Sequence, residues 1–202
     1  MPERTVFRTI REQIADHIRN EILARQLPEG EALREQDLAR RFGVSRGPVR
    51  DALLQLTQEG LLVGKPNCGV TVSCPPTDAI QSLVVDLRRR IEVFTLRKAF
   101  GRIGQEQVSQ LDAIAARLHD ACKRSDMSAV VEHDMAFHRT IVEWAGDANL
   151  LAIWLPIVSR MMLRYARHAD LMDSYREHAA ILQAIRDGRR REAVAALKQN
   201  IQ

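Results

Sequence analysis

The chain has 202 residues, 46% of them apolar, enough to bury one large core or two smaller ones. No stretch approaches the roughly 20 apolar residues that cross a bilayer, and the start, MPERTVFRTIREQIADHIRN, is charged throughout, so the chain reads as cytoplasmic with no membrane partner. Cys68, Cys74 and Cys122 are odd in number and lack the paired spacing of a zinc site, which argues against a disulfide framework. The net charge of +4 is spread evenly, and bulk charge selects no partner. Local charge does: between Arg34 and Arg50, Arg34, Arg40, Arg41, Arg46 and Arg50 face only Glu35 and Asp37.

In chain order, Val6 to Gln26 carries Ile10, Ile14, Ile18 and Ile22 at a spacing of four with charges between, which predicts an amphipathic helix stopped by Leu27-Pro-Glu-Gly30. EQDLARRF, from Glu35 to Phe42, is a short second helix, and Gly43 suits the left-handed turn that stops it. Ser45 suits an N-cap and Pro48 the first turn of a third helix that runs to about Gly60, with Val49, Leu53 and Leu56 on its inner face. Leu61 to Val63 and Val70 to Val72 are β-prone runs around GKPNCG, a hairpin with Lys65, Asn67 and Gly69 at its tip.

Two helices joined by a tight glycine turn form a helix-turn-helix. A recognition helix enters the major groove by its N-terminal end, so groups that reach DNA bunch in its first turns. Ser45, Arg46, Pro48 and Arg50 lie there, with Arg46 and Arg50 four apart on one face. The hairpin tip is suited to a minor groove. The alternative is a three-helix protein-interaction module whose arginines are simply solvated.

The string EGEALREQDLARRFGVSRGPVRDALLQLTQEGLLV is more specific than that outline. It resembles the winged-helix domain of the GntR family of bacterial transcription regulators over roughly residues 8–73, with Glu29-Gly30 where the family has Pro-Gly. The resemblance implies DNA contacts by Arg34, Arg46 and Arg50, and a wing glycine at Gly69.

Ser73-Cys-Pro-Pro-Thr-Asp78 breaks the pattern, because two prolines stop a strand and Thr77 or Asp78 can cap a helix. We therefore read residues 1–73 as the DNA-binding domain, 74–78 as a linker and 79–202 as a second domain. Helical periodicity then recurs near 79–101, 105–124, 127–145, 148–168, 171–187 and 190–202, an all-α bundle, so the fold class is mainly α. No P-loop, GxGxxG or nucleophile elbow occurs.

Asp134 and His138 in EHDMAFHRTIVEW are i and i+4 on one helix and can face one cation, although such a pair is also an ordinary surface salt bridge. Phe137, Ile141 and Trp144 flank His138 and point to a partly buried face; His178 precedes Ile181, Leu182 and Ile185 in the same manner, while His133 points away and reads as solvated. The order DMAFH-x-x-I, WAGDANLLAIWL, EHAAILQAIRDG, REAVAALKQNI resembles the FCD ligand-binding domain in its six-helix, VanR-like form. That resemblance implies a divalent metal (zinc, nickel or manganese) on Asp134, His138 and His178, with Asn200 where the family has a last His. An amide oxygen is a weaker ligand for zinc or nickel than imidazole but acceptable to manganese. Asn200 then ligates by its oxygen, or three ligands leave room for water and effector, or the site is a hydrogen-bonding pocket.

Arg88, four residues before Glu92, matches an FCD arginine and is the first candidate to hold a small organic acid; Arg160, among apolar neighbours, is the second. The expectation is a homodimeric repressor, not an enzyme, binding an approximately palindromic DNA operator under control of a small carboxylic acid. A metal-responsive regulator, a metal-free regulator that binds an acyl ligand, and a metal-dependent enzyme are the alternatives.

Overall fold

Thr9 opens the first helix by a reciprocal cap: its hydroxyl accepts from the Glu12 N–H at 3.2 Å, and its own N–H donates to Glu12 Oε2 at 2.8 Å. The computed structural model describes residues 9–65, 69–164 and 170–201. Helix α1 spans Ile10–Leu23 and buries Ile14, Ile18 and Ile22. Ile10, the first residue of that stripe, is instead 55% exposed, at the very start of the helix. The helix also ends earlier than its periodicity suggests, since Arg25 turns left-handed at φ 59° before Leu27-Pro28 is reached.

Helix α2 spans Glu35–Phe42 and ends in Gly43 at φ 66°, a conformation that costs glycine nothing and an L-residue about 1 kcal/mol or more. Helix α3 follows over Arg46–Gln58, with Ser45 as N-cap and Val49, Ala52, Leu53 and Leu56 buried. A buried fork closes the three-helix unit: Arg19 on α1 donates Nε and a terminal nitrogen to Glu59 at 2.9 and 2.8 Å.

The hairpin is part of a three-stranded antiparallel sheet. Strands β1 (Ala32–Leu33), β2 (Leu62–Lys65) and β3 (Gly69–Val72) lie in the order β1-β3-β2, with Leu62 opposite Val72, Lys65 opposite Gly69, and Ala32 opposite Thr71. Two-residue β1 has no period of its own, and its pairing with β3 is what makes it a strand.

The chain divides into two compact units between Pro75 and Pro76. In the second, the described helices are α4 (Asp78–Ala99), α5 (Gln105–Lys123), α6 (Met127–Glu143), α7 (Ala148–Met162), α8 (Leu171–Arg186) and α9 (Arg190–Asn200), with a short 3₁₀ turn at Phe100–Arg102. Three of them start on an aspartate that accepts a backbone N–H: Asp126 from Ala129, Asp147 from Asn149 and Asp170 from Met172, at 3.1, 2.9 and 2.9 Å. The expected extension of α7 to residue 168 stops at Met162, and 165–169 lie outside the described residues. The core joins Leu96 of α4, Leu111 of α5, Phe137 and Ile141 of α6, Ile181 of α8 and Leu197 of α9, all fully buried.

Candidate DNA interface and candidate metal centre

In the first unit, Arg34, Arg46, Arg50 and Gly69 line one concavity of about 630 Å³ together with Glu35 and Gln36. Arg34 is the exposed N-cap of α2. Arg46 and Arg50 are 62% and 65% exposed, and both reach back to Glu35, at 3.2 Å and at 3.1 and 3.2 Å. The Arg50 hydrogen bond, with that of Arg46 behind it, holds the Glu35 carboxyl below the usual carboxylate range. Ser45 is exposed and its hydroxyl makes no cap hydrogen bond, while Pro48 is half-buried one turn further in. Gly69 sits at φ 79° where the wing turns, so a side chain there would be strained. Lys65 closes β2 but its side chain lies outside the described residues, as does Asn67 entirely.

In the second unit, the i and i+4 spacing of Asp134 and His138 points both side chains inward from α6, and α8 brings His178 to meet them. All three are buried, and one ligand-type atom from each lies within 4.8 Å of the others. The His178 Nε2 to Asp134 Oδ1 distance is 3.4 Å, and the two imidazoles cross at 5.1 Å between centroids, with Phe137 edge-on to His178.

The other ring nitrogens are engaged. His178 Nδ1 donates to the Ser174 carbonyl at 2.7 Å, and His138 Nδ1 lies 2.6 Å from Glu92 Oε2. A carbonyl and a carboxylate can only accept, so both Nδ1 atoms carry a proton, and Nε2 is the position each neutral ring would offer to a cation. His138 Nε2, His178 Nε2 and Asp134 Oδ2 are buried with no hydrogen-bond partner among the described residues. Such atoms cost about 1–3 kcal/mol each when nothing binds them, so the trio suits a cation. Adjacent donors on one transition-metal ion stand roughly 3 Å apart, near the 3.4 Å between His178 Nε2 and Asp134 Oδ1. Burial, opposed by Asp134, pushes the His178 imidazole down to about 4, so at neutral pH it is in the neutral, ligating form.

Glu92 is the centre of the surrounding network. It is fully buried and accepts from Arg88 Nε at 2.7 Å, from Trp154 Nε1 at 2.8 Å and from His138. Burial alone would raise its carboxyl, but Arg88 and His138 outweigh it and hold the group at about 2. In the sequence Glu92 is marked only as the companion of Arg88; its grip on His138 and Trp154 joins three helices, α4, α6 and α7, and has no local signature. Arg88 itself is buried, with a terminal nitrogen 3.7 Å from Met161 Sδ. Arg160 is half-buried at the end of α7. Asn200 does not join the trio by a hydrogen bond: its Nδ2 donates to Glu177 at 3.0 Å. His133 is half-buried rather than solvated, and burial lowers its imidazole. Ser159 and Ser174 hydroxyls are buried without partners among the described residues, a feature that no sequence pattern marks.

Residues 10–72 match the bacterial regulatory proteins of the gntR family, and residues 83–202 match the FCD domain. The protein is a DNA-binding transcription regulator, not an enzyme. It belongs to the GntR family, in the branch whose C-terminal part is an FCD domain. Among its relatives, the probable D-xylose utilization operon transcriptional repressor of Paenarthrobacter nicotinovorans is 26% identical over 197 residues, covering 96% of this chain and 86% of that one. The gluconate operon transcriptional repressor of Bacillus licheniformis is 27% identical over 172 residues, covering 84% and 70%. The repressor NanR of Escherichia coli is 28% identical over 215 residues, covering 94% and 81%. Escherichia coli McbR/YncC shares the fold at a TM-score of 0.81 with 18% identity, covering 96% of this chain and 94% of that one. A GntR regulator from Rhodococcus sp. RHA1 does so at 0.73 with 20% identity, covering 95% and 93%. No helix among the described residues is long and apolar enough to cross a membrane.

Proposed function

We propose that this regulator is a cytoplasmic repressor whose operator binding is modulated by a small carboxylic acid, held in the helical unit beside a divalent transition metal. Repression follows the printed names of the relatives, which are repressors of sugar-acid and sugar operons. The observation that carries the sensing half is the trio of buried, unpartnered ligand atoms on Asp134, His138 and His178. In this reading those three residues hold zinc, nickel or manganese, and Asn200 keeps its hydrogen bond to Glu177 instead of serving as a fourth ligand. Held there, such an ion would supply the positive charge that a carboxylate seeks. Glu92 orients His138, Ser174 orients His178, and the guanidinium groups of Arg88 and Arg160 offer the counter-charge for an acid.

Residues 1–73 form the reader, 74–78 the linker and 79–202 the sensor and dimerisation domain. Arg34, Ser45, Arg46, Pro48, Arg50, Lys65, Asn67 and Gly69 form the face toward duplex DNA, and two copies related by a two-fold axis match an approximately palindromic operator. Dimerisation is supported by Ile80, Leu83 and Leu87, exposed on one face of α4, and by exposed Ile153 on α7, which packs beside it. Coupling between the two ligands, typically about 1–3 kcal/mol, makes induction graded.

Elemental mass spectrometry of protein purified without chelator or metal-affinity resin tests the reading. About one equivalent of a single transition metal per chain is expected. Protein that carries none, and takes up none on addition, overturns it. Operator titrations with and without a panel of small hydroxy acids then read the effector.

A further inference from the structure

The outer face of α4 carries a second site of different character. Arg90, Phe94 and Arg97 recur at i, i+4 and i+7, so they line up on one side of the helix. They border a groove of about 600 Å³ between α4 and α9, to which Lys98, Arg190 and Lys198 also contribute. None of these five cations has a hydrogen bond or ion pair among the described residues. The groove's one carboxylate, Asp86, is already held by Arg89 at 2.8 Å, and Arg89 also donates to the Ile201 carbonyl at 2.7 Å, which ties α4 to the end of α9. Five unneutralised cations around one concavity repel one another and raise a positive potential that an anion relieves.

Two details separate this from an ordinary solvated face. Arg97, Lys98 and Lys198 sit in last turns, where the helix dipole welcomes a cation, but Arg190 is the first residue of α9, where the dipole favours acids. Its neighbour Arg189 is offset by Asp187 and Glu192, whereas Arg190 points its charge into the groove unpaired. Phe94, two turns beyond Leu87 on the same stripe, is 56% exposed in the midst of these charges, an apolar ring left uncovered by the described residues of one chain. A ring flanked by guanidinium and ammonium groups fits a ligand with a planar face and a multiply charged tail.

We propose that the α4–α9 groove binds a nucleotide, its base on Phe94 and its phosphates among Arg90, Arg97, Lys98, Arg190 and Lys198. The volume is in the range of small-molecule sites, and a concavity of this size takes a mononucleotide but not a duplex. The site is remote in character from the buried trio: side-chain cations and a stacking platform, with no glycine-rich cradle. A regulator with two such pockets reads a second metabolic signal besides the acid.

Isothermal titration of the full chain with ATP, and separately with tripolyphosphate, decides the matter. One ATP per chain at micromolar strength is expected, weakened by tenfold or more in the double variant Arg90→Ala, Arg97→Ala. Phe94→Ala, at an exposed position, should weaken ATP by about tenfold through lost stacking and leave tripolyphosphate unchanged. Absence of ATP binding overturns the proposal, as does loss of that binding in an Arg46→Ala, Arg50→Ala variant instead, which would place the nucleotide on the DNA face. Tripolyphosphate binding as tightly as ATP, with Phe94→Ala silent, overturns the nucleotide assignment and leaves a simple polyanion groove.

Discussion

The two units place charge in opposite ways. In the winged helix, Arg46 and Arg50 stand more than 60% exposed and rest on Glu35, an arrangement that costs little and that an arriving phosphate or base can replace. In the helical unit, Arg88, Glu92, Asp134, His138 and His178 are all buried, and each must be satisfied by a neighbour or by a guest. The same residue types therefore serve a partner that comes from outside in one unit and a small ligand enclosed in the other. The contrast also ranks the consequences of mutation: disruption in the bundle strikes stability first, disruption in the wing strikes binding alone.

The largest effect should come from Glu92→Ala. It removes the acceptor of Arg88, Trp154 and His138 together and leaves a buried guanidinium without its carboxylate, a loss of about 3–5 kcal/mol. Chemical denaturation of the full chain should show the transition of the helical unit move while that of the winged helix stays. Equal movement of both would break the comparison. Stripping the metal is the next largest. If an ion is held at a hundred times its dissociation constant, chelation should lower stability by about 2.7 kcal/mol, and His138→Ala should show the low value with or without chelator. A chelator without effect on the parent protein would return the trio to a purely structural role.

How much of this was legible beforehand depended on how local the cause was. Gly43, Asp126, Asp147 and Asp170 act on the backbone within three residues, and with the 3.6-residue period they made nearly every helix readable. Strand β1 was not readable, because its only reason to be extended is β3, which arrives from 38 positions or so later in the chain. The i and i+4 pair on α6 was visible as a spacing, and His178 as an imidazole on an apolar face. Glu92 was not visible as the partner of His138 and Trp154, because those contacts span 46 and 62 residues. Nor did any pattern show that Arg46 and Arg50 share Glu35, a pairing that needs the glycine turn to fold α2 against α3.

Within the wing, Arg50→Ala should weaken a specific operator by roughly ten- to a hundredfold if its fork reads a base, with no shift in thermal midpoint. An unchanged operator titration would remove Arg50 from the interface.

The smallest effect sharpens the comparison most. Glu35→Gln keeps the shape of α2 but withdraws the charge that both arginines rest on. Because the pair is exposed, folding stability should hardly change. Binding to random duplex DNA at low salt should tighten, and the slope of log affinity against log salt should steepen by about one, since one more protein charge is open to a phosphate. If the slope stays the same, Glu35 already yields its arginines fully when DNA arrives, and the exposed charges of the wing are as unconstrained as their accessibility implies. If it steepens, Glu35 is a restraint that non-specific DNA must overcome and that a correct base sequence offsets. Even the open face then carries an internal partner, as the buried one does.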